Sequence, residues 1–180
     1  MIYVFLANGF EECEALVPLD ILRRAGIEIK TVGIGSKTIT GSHSIPVVCD
    51  LDETEINTKE LKGIILPGGM PGTINLEKSS VVQKYIDFSY KNNLLIAAIC
   101  AAPSILGHKN LLNNKKATCF TGFEKDLLGA DVVNDPVVRD ENIITAFGAG
   151  AAFPFGFEIL SYINGSESSE EMKKQMRYTK

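Results

Sequence analysis

Short apolar runs alternating with helix-like segments constrain this chain more than any other feature. Residues 2–7, IYVFLA, form one such run, ended by Asn8-Gly9. GIILPGG at 63–69 and LLIAAIC at 94–100 are two more. Runs so short and so little interrupted read as strands buried on both faces, the kind found in parallel sheets. Between the first run and the strand-like EIKTVGI at 28–34 lies ECEALVPLDILRRA at 12–25, with apolar side chains at 15, 16, 19 and 22. That spacing predicts a helix, kinked or late in starting at Pro18 and stopped by Gly26 as its C-cap. Strand, helix and strand in this span make a βαβ unit with parallel strands and a right-handed crossover.

Further along, residues 37–50 predict a hairpin around GSHS, with an apolar face suited to a dimer. A helix is expected over 79–92, another beginning at 102–108, strands at 116–120 and 142–147, and helices over 152–164 and 168–177. Alternation of this kind implies an α/β three-layer sandwich with a mainly parallel sheet and an added β-hairpin. The 180 residues suffice for one well-buried core, and no repeat, low-complexity tract or linker divides them. A single domain over 1–180 is the expectation.

Composition removes several function classes. A net charge of −4 gives no basic footprint for nucleic acid. No stretch reaches the roughly 20 apolar residues of a membrane span. The opening MIYVFLANGFEE lacks the basic segment of a signal peptide, so a cytoplasmic, reducing location is expected. There Cys13, Cys49, Cys100 and Cys119 would be free thiols. With no C-x-x-C and only His43 and His108, neither a metal site nor a bound cofactor is expected.

In open parallel sheets, ligands bind beyond the carboxyl ends of the strands. Three loops qualify: Asn8 to Glu14, Pro67 to Gly72 and Cys100 to Pro103. In IAAICAAPSILG, Cys100 stands where a strand gives way to a helix, flanked by Ala98, Ala101 and Ala102. A nucleophile elbow needs such small neighbours because its backbone folds tightly. A helix N-terminus beneath the sulfur would favour thiolate and lower its pKa. The alternative is an inert core cysteine. In LPGGMPG, Gly68 and Gly69 let the backbone approach a ligand, and their N–H groups with that of Ala101 would form an oxyanion hole. No Gly-Lys-Ser/Thr follows, which excludes a Walker loop, and Gly33-Ile34-Gly35 lacks the third glycine of a dinucleotide site.

The acidic cluster Glu11, Glu12 and Glu14 lies in the loop that would face Cys100. Each carboxylate reads equally as a solvated helix-dipole partner or, if buried beside a thiol, as a proton carrier. Imidazole must lie within hydrogen-bond reach of a sulfur to activate it. His108 is eight residues past Cys100, about 12 Å along a shared helix. His43 falls in the hairpin turn and reads as a surface residue. A cysteine-histidine hydrolase or amidotransferase triad therefore has no evident base.

LANGFEECEALVPLDILRRAG, LPGG and AAICAAPSIL, in this order and spacing, resemble the ThiJ/PfpI family from residue 2 to about 164. The resemblance implies a flavodoxin-like sandwich, commonly a homodimer. It matches Cys100 to the family's reactive cysteine and Glu14 to the buried, protonated glutamate that hydrogen-bonds it. Gly68, Gly69 and Ala101 match the backbone donors. Departures are equally specific. The protease-like branch has histidine after the cysteine, where this chain has Ala101, which argues against a peptidase. In the deglycase branch a pocket histidine and an arginine stand where this chain has Phe120 and the Ala146-Phe147-Gly148-Ala149-Gly150 loop. These departures imply a more apolar pocket.

The implied activity is cofactor-free chemistry of the glyoxalase or deglycase type on small α-oxoaldehydes or their protein adducts. The second class is a non-enzymatic redox sensor of the oxidative-stress kind, whose cysteine an oxidant converts to sulfinate. A thiamine-pathway role follows only from the family's historical name, with no phosphate or thiazole motif behind it. The expected partners are thus a small carbonyl compound or an oxidant and a second copy of the chain, without nucleic acid or membrane.

Overall fold

The structure is a computed structural model that describes residues 1–179. Its first half runs β1 (Ile2–Leu6), α1 (Glu12–Arg24), β2 (Ile29–Gly33), β3 (Thr38–Thr40), β4 (Pro46–Val48), β5 (Leu51–Asp52), β6 (Gly63–Leu66), α2 (Gly72–Lys78) and α3 (Ser80–Lys91). It continues through β7 (Leu95–Ile99), α4 (Pro103–His108), β8 (Lys116–Ala117), β9 (Asp131–Val132), β10 (Val137–Asp140), β11 (Ile143–Ala146), α5 (Ala152–Asn164) and α6 (Ser166–Gln175). Seven strands form one sheet in the order β10-β11-β7-β6-β1-β2-β5. All its pairings are parallel except β10 with β11.

Alternate residues of the central strands feed two cores, as the period of a strand requires. Val4, Leu6, Ala97 and Ile99 pack with Leu19, Leu22, Phe155 and Leu160 of α1 and α5 on one face. Phe5, Leu66, Ile96 and Ala98 pack with Val82, Ile86, Ile105 and Leu106 of α3 and α4 on the other. The sandwich is therefore helix, sheet, helix. On the first face α5 lies close against α1. A side-chain carbon added at Gly156 would come within 2.6 Å of Ile21 Cδ1 and 3.0 Å of Pro18 Cα.

α1 starts at Glu12 and continues through Pro18, so the late start predicted there does not occur. It ends as predicted at Gly26, whose φ is +72°. The Gly26 N–H donates to Arg23 O (3.0 Å) and that of Ile27 to Leu22 O (3.0 Å), the paired bonds of a Schellman cap.

Three differences from the sequence reading have local causes. The helix expected over 79–92 is preceded by a second, α2. Ser79 separates them and caps α3, accepting the Val82 N–H. The strand expected at 116–120 shortens to β8 and pairs with β9 in a separate two-stranded sheet. Beyond it the chain turns toward Cys100, and the Phe120 N–H donates to Cys100 O at 2.9 Å. β10 went unpredicted; Glu141, with φ +53°, turns it tightly onto β11. The hairpin of β3 and β4 forms as expected, with Val48 73% exposed. Among the described residues no helix is long and apolar enough to cross a membrane.

Candidate active site

β1, β6 and β7 lie side by side in the sheet, so the loops after their carboxyl ends converge. The loop after β1 leads into α1, where Glu11 caps the helix by accepting the Glu14 N–H at 2.8 Å. The cap turns Glu14 inward, and its side chain is 1% exposed. After β6, Gly68 donates its N–H to Glu14 Oε2 at 2.9 Å. After β7, Cys100 adopts φ +65°, a strained value for a residue with a side chain. Its N–H donates to Ala146 O (2.8 Å) on the neighbouring strand, and its carbonyl is the acceptor for Phe120. Both bonds hold the elbow in place.

Glycine is required at this convergence. A Cβ on Gly68 would sit 2.6 Å from Cys100 Cβ and 2.7 Å from Glu14 Oε2. Gly69 has φ +87° and its backbone crowds Gly9, Phe10 and Glu11. The structure thus brings Cys100, Glu14, Gly68, Gly69 and Ala101 together. It divides the backbone donors differently from the sequence expectation. The Gly68 N–H is taken by the Glu14 carboxylate and is not free for a substrate oxyanion. Those of Gly69 and Ala101 act on the Cys100 sulfur.

Burial pushes the Glu14 carboxyl up to about 7, and the charge of Glu11 adds to the rise. Hydrogen bonds from Cys100, Gly68 and Ala149 pull the other way and fall short. Burial, the Glu14 charge and the Glu14 hydrogen bond push the Cys100 thiol up to about 12. This reverses the lowered value expected from a helix dipole. α4 has only six residues and starts at Pro103, so its N-terminus does not offset the loss of water. Protonating Glu14 removes the repelling charge and turns an acceptor into a donor. Thiolate at Cys100 is therefore compatible with a neutral Glu14, the two groups sharing one proton.

Sequence reasoning missed Ala149, whose backbone donates to Glu14. The signal was the glycine-rich run after β11. It also missed the role of Glu12. Glu12 Oε1 accepts the His43 N–H (2.8 Å) and Oε2 contacts His43 Nδ1 at 2.7 Å, which fastens the hairpin turn to α1. Glu11, Glu12 and His43 bring three potential ligand atoms within 4.8 Å of one another, a grouping absent from the sequence reading. His43 is an exposed residue, as expected, but a partnered one. His108 contacts Glu77 at 2.6 Å instead of the sulfur. Cys49 and Cys119 are buried thiols, and Cys13 is exposed. A cavity of about 720 Å³ is walled in part by Phe120, Phe147, Gly148 and Ala149, the last of which bonds Glu14 from its backbone.

The α/β sandwich with its mostly parallel sheet agrees with what comparison with known proteins finds. The DJ-1/PfpI family model matches residues 1–162, and the chain belongs to that family. It is 32% identical over 174 residues to protein dj-1beta of Drosophila melanogaster, covering 95% of this chain and 93% of that one. It is 28% identical over 167 residues to a Caenorhabditis elegans protein named glutathione-independent glyoxalase DJR-1.2, covering 92% and 89%. The structure of oxidised Toxoplasma gondii DJ-1 superposes with a TM-score of 0.95 at 26% identity, covering 99% of this chain and 98% of that one.

Proposed function

We propose that the protein is a cofactor-free glyoxalase of the deglycase-related type, converting small α-oxoaldehydes, free or as protein adducts, to 2-hydroxy acids. The observation that carries this reading is the hydrogen-bonded pair of Cys100 and Glu14, with the Gly69 and Ala101 amides at the sulfur. Glu14 takes the thiol proton, and the thiolate adds to the aldehyde carbon. The resulting oxyanion lies among those amides and receives the proton back as a hemithioacetal hydroxyl. Glu14, again a carboxylate, removes the hydrogen from the former aldehyde carbon and delivers it to the adjacent carbonyl carbon. The hemithioacetal hydroxyl gives up its proton to the former ketone oxygen, so the ketone becomes a hydroxyl and the aldehyde carbon a thioester, which water hydrolyses to the acid and free Cys100. Methylglyoxal plus water gives lactate, with no net oxidation. Purified protein is expected to consume methylglyoxal without glutathione, and Cys100→Ser to abolish the reaction. Equal rates for the two proteins would overturn the reading.

A second reading rests on the pairing of sulfur and carboxyl at the elbow. Cys100 is partly exposed and beside a protonatable carboxyl. Cys49 and Cys119 are buried, and Cys13, though exposed, lies on the first turn of α1 outside this pair. Peroxide would oxidise the Cys100 thiolate through sulfenate to sulfinate, each oxygen coming from one peroxide reduced to water. A protonated Glu14 would then donate to the sulfinate. Mass spectrometry after mild peroxide is expected to find two added oxygens on Cys100 before any other cysteine.

A further inference from the structure

The cavity walled in part by Gly148 and Ala149 is much larger than the implied chemistry of a small aldehyde requires. At about 720 Å³ it falls in the range of about 300–1,000 Å³ that holds drug-sized ligands. Methylglyoxal, with a single methyl beyond its two carbonyls, would leave most of it empty.

Its position relative to the reacting groups is specific. A carbon added at Gly148 would lie 3.9 Å from Glu14 Oε1 and 3.1 Å from the Phe120 ring. Gly148, part of the cavity wall, therefore lies against both the carboxyl and the ring, and a larger residue there would crowd them. The substituent of an α-oxoaldehyde is attached to the carbon that receives its hydrogen from Glu14, so it starts beside Glu14, next to this wall. The walls also include Phe120 and Phe147, with Cys119, Val132 and Val133. Two aromatic rings and apolar neighbours suit a flat, uncharged group. Glu124 on the wall and the net charge of −4 disfavour an anionic one. The elbow also fixes the aromatic wall, because the Phe120 N–H donates to Cys100 O at 2.9 Å.

We propose that this cavity is a substituent subsite and that the substrate class is aryl-substituted α-oxoaldehydes. The inference rests on the glyoxalase reading for its chemistry. Phenylglyoxal and water would give mandelate: the aldehyde hydrogen moves to the benzylic carbon, and water supplies an oxygen of the carboxylate. Filling an apolar pocket with added carbon changes selectivity by about tenfold or more.

The test has two independent arms. In turnover, kcat/KM for phenylglyoxal is expected to exceed that for methylglyoxal at least about tenfold. Phe120→Ala should collapse that ratio. The ring is 50% exposed, so its removal leaves the cores intact. In binding, Cys100→Ser protein is titrated by NMR with 1-phenyl-1,2-propanedione and with 2,3-butanedione, neither of which carries an aldehyde. The aryl diketone should bind at least about tenfold more tightly, and Phe120→Ala in the same background should erase the difference. Equal binding of the two diketones, or a preference unaltered by Phe120→Ala, overturns the subsite. Absence of turnover with both aldehydes overturns the glyoxalase reading, and the binding arm then decides the subsite by itself.

Discussion

Glu12 and Glu14 sit two residues apart in the first turn of α1, and both are buried, at 6% and 1% exposure. Burial pushes both carboxyls up, yet they end on opposite sides of the ordinary value. For Glu12 the hydrogen bonds from the His43 ring and backbone, with the charge of His43, outweigh burial, and its pKa is lowered. Glu14 faces a thiol and two backbone amides instead of a cation, and burial wins, raising it to about 7. Desolvation alone therefore does not determine the state of a buried carboxyl; the partner does. Glu12 is an anion at neutral pH and fastens the hairpin to the helix. Glu14 can gain or lose a proton at neutral pH, which is what a proton shuttle needs.

The largest expected effect follows from this contrast. Glu14→Gln keeps an acceptor for the Gly68 N–H but cannot carry a proton. It should lower kcat/KM for methylglyoxal by about 10²–10⁴-fold, the usual worth of a general base. Glu12→Gln should leave turnover nearly unchanged. Wild-type activity should rise with pH through about 7, as the pair loses its first proton. Equal losses from the two substitutions would break the contrast.

Stability gives the next effect. The folded pKa of Glu14 is raised from 4.5 to about 7, so the folded state holds its proton more tightly than the unfolded chain. The stabilising contribution is complete below the unfolded value and is lost as pH rises through about 7. At 1.36 kcal/mol per pKa unit, the loss amounts to roughly 3 kcal/mol. Glu14→Gln escapes it. Denaturant unfolding should show the variant gaining about that much on wild type between pH 4 and pH 8. A gap independent of pH would mean that Glu14 is ionised in the fold throughout.

The sheet and its cores were legible because strands buried on both faces leave uninterrupted apolar runs such as IYVFLA and LLIAAIC. Gly26 ended α1 for the reason its sequence position implied. The elbow was legible too, since tight backbone at Cys100 leaves its mark in Ala98, Ala101 and Ala102. Periodicity does not report long-range hydrogen bonds, and the errors fall there. Nothing local to LPGG says that the Gly68 N–H is aimed at a glutamate 54 residues earlier. Nor does GSHS say that His43 reaches Glu12. The three glutamates read alike in sequence because their burial is decided by elements from elsewhere in the chain. The direction of the Cys100 shift was misread for the same reason. A helix dipole is visible in sequence, while the depth of burial and the facing carboxyl are not.

Each glutamate also abuts a glycine, which allows a smaller test of the contrast. Gly68→Ala would drive a methyl against Cys100 Cβ, Glu14 Oε2 and, at 3.0 Å, the Ile99 carbonyl. Two of these belong to the strand-turn framework and cannot yield cheaply. A cost of about 1–3 kcal/mol in unfolding free energy is expected, as for an overpacked core. In Gly41→Ala the three atoms nearest the new methyl all belong to the Glu12 side chain, with Cγ at 2.7 Å. Its tip can swing toward the exposed hairpin turn, so the cost should be smaller. Reversal of that order would show that the Glu12 fastening is the more rigid of the two.

The smallest effect is the pH dependence of the Glu12–His43 pair. The hydrogen bond and charge of Glu12 raise the His43 pKa. Its contribution to stability is therefore complete below the ordinary imidazole value and is lost as pH rises through the raised one. The Glu12 contribution has the opposite sign, present above the ordinary carboxylate value and lost as pH falls through the lowered one. The pair is intact only between those limits. The difference in Tm between wild type and His43→Gln should be greatest at about pH 5–6, between ordinary carboxylate and imidazole values, and should close toward alkaline pH. The imidazole is largely exposed, so added salt should shrink the difference as well. A difference that persisted at alkaline pH would mean that the turn is held by the backbone bond from His43 N–H to Glu12, with the imidazole a bystander.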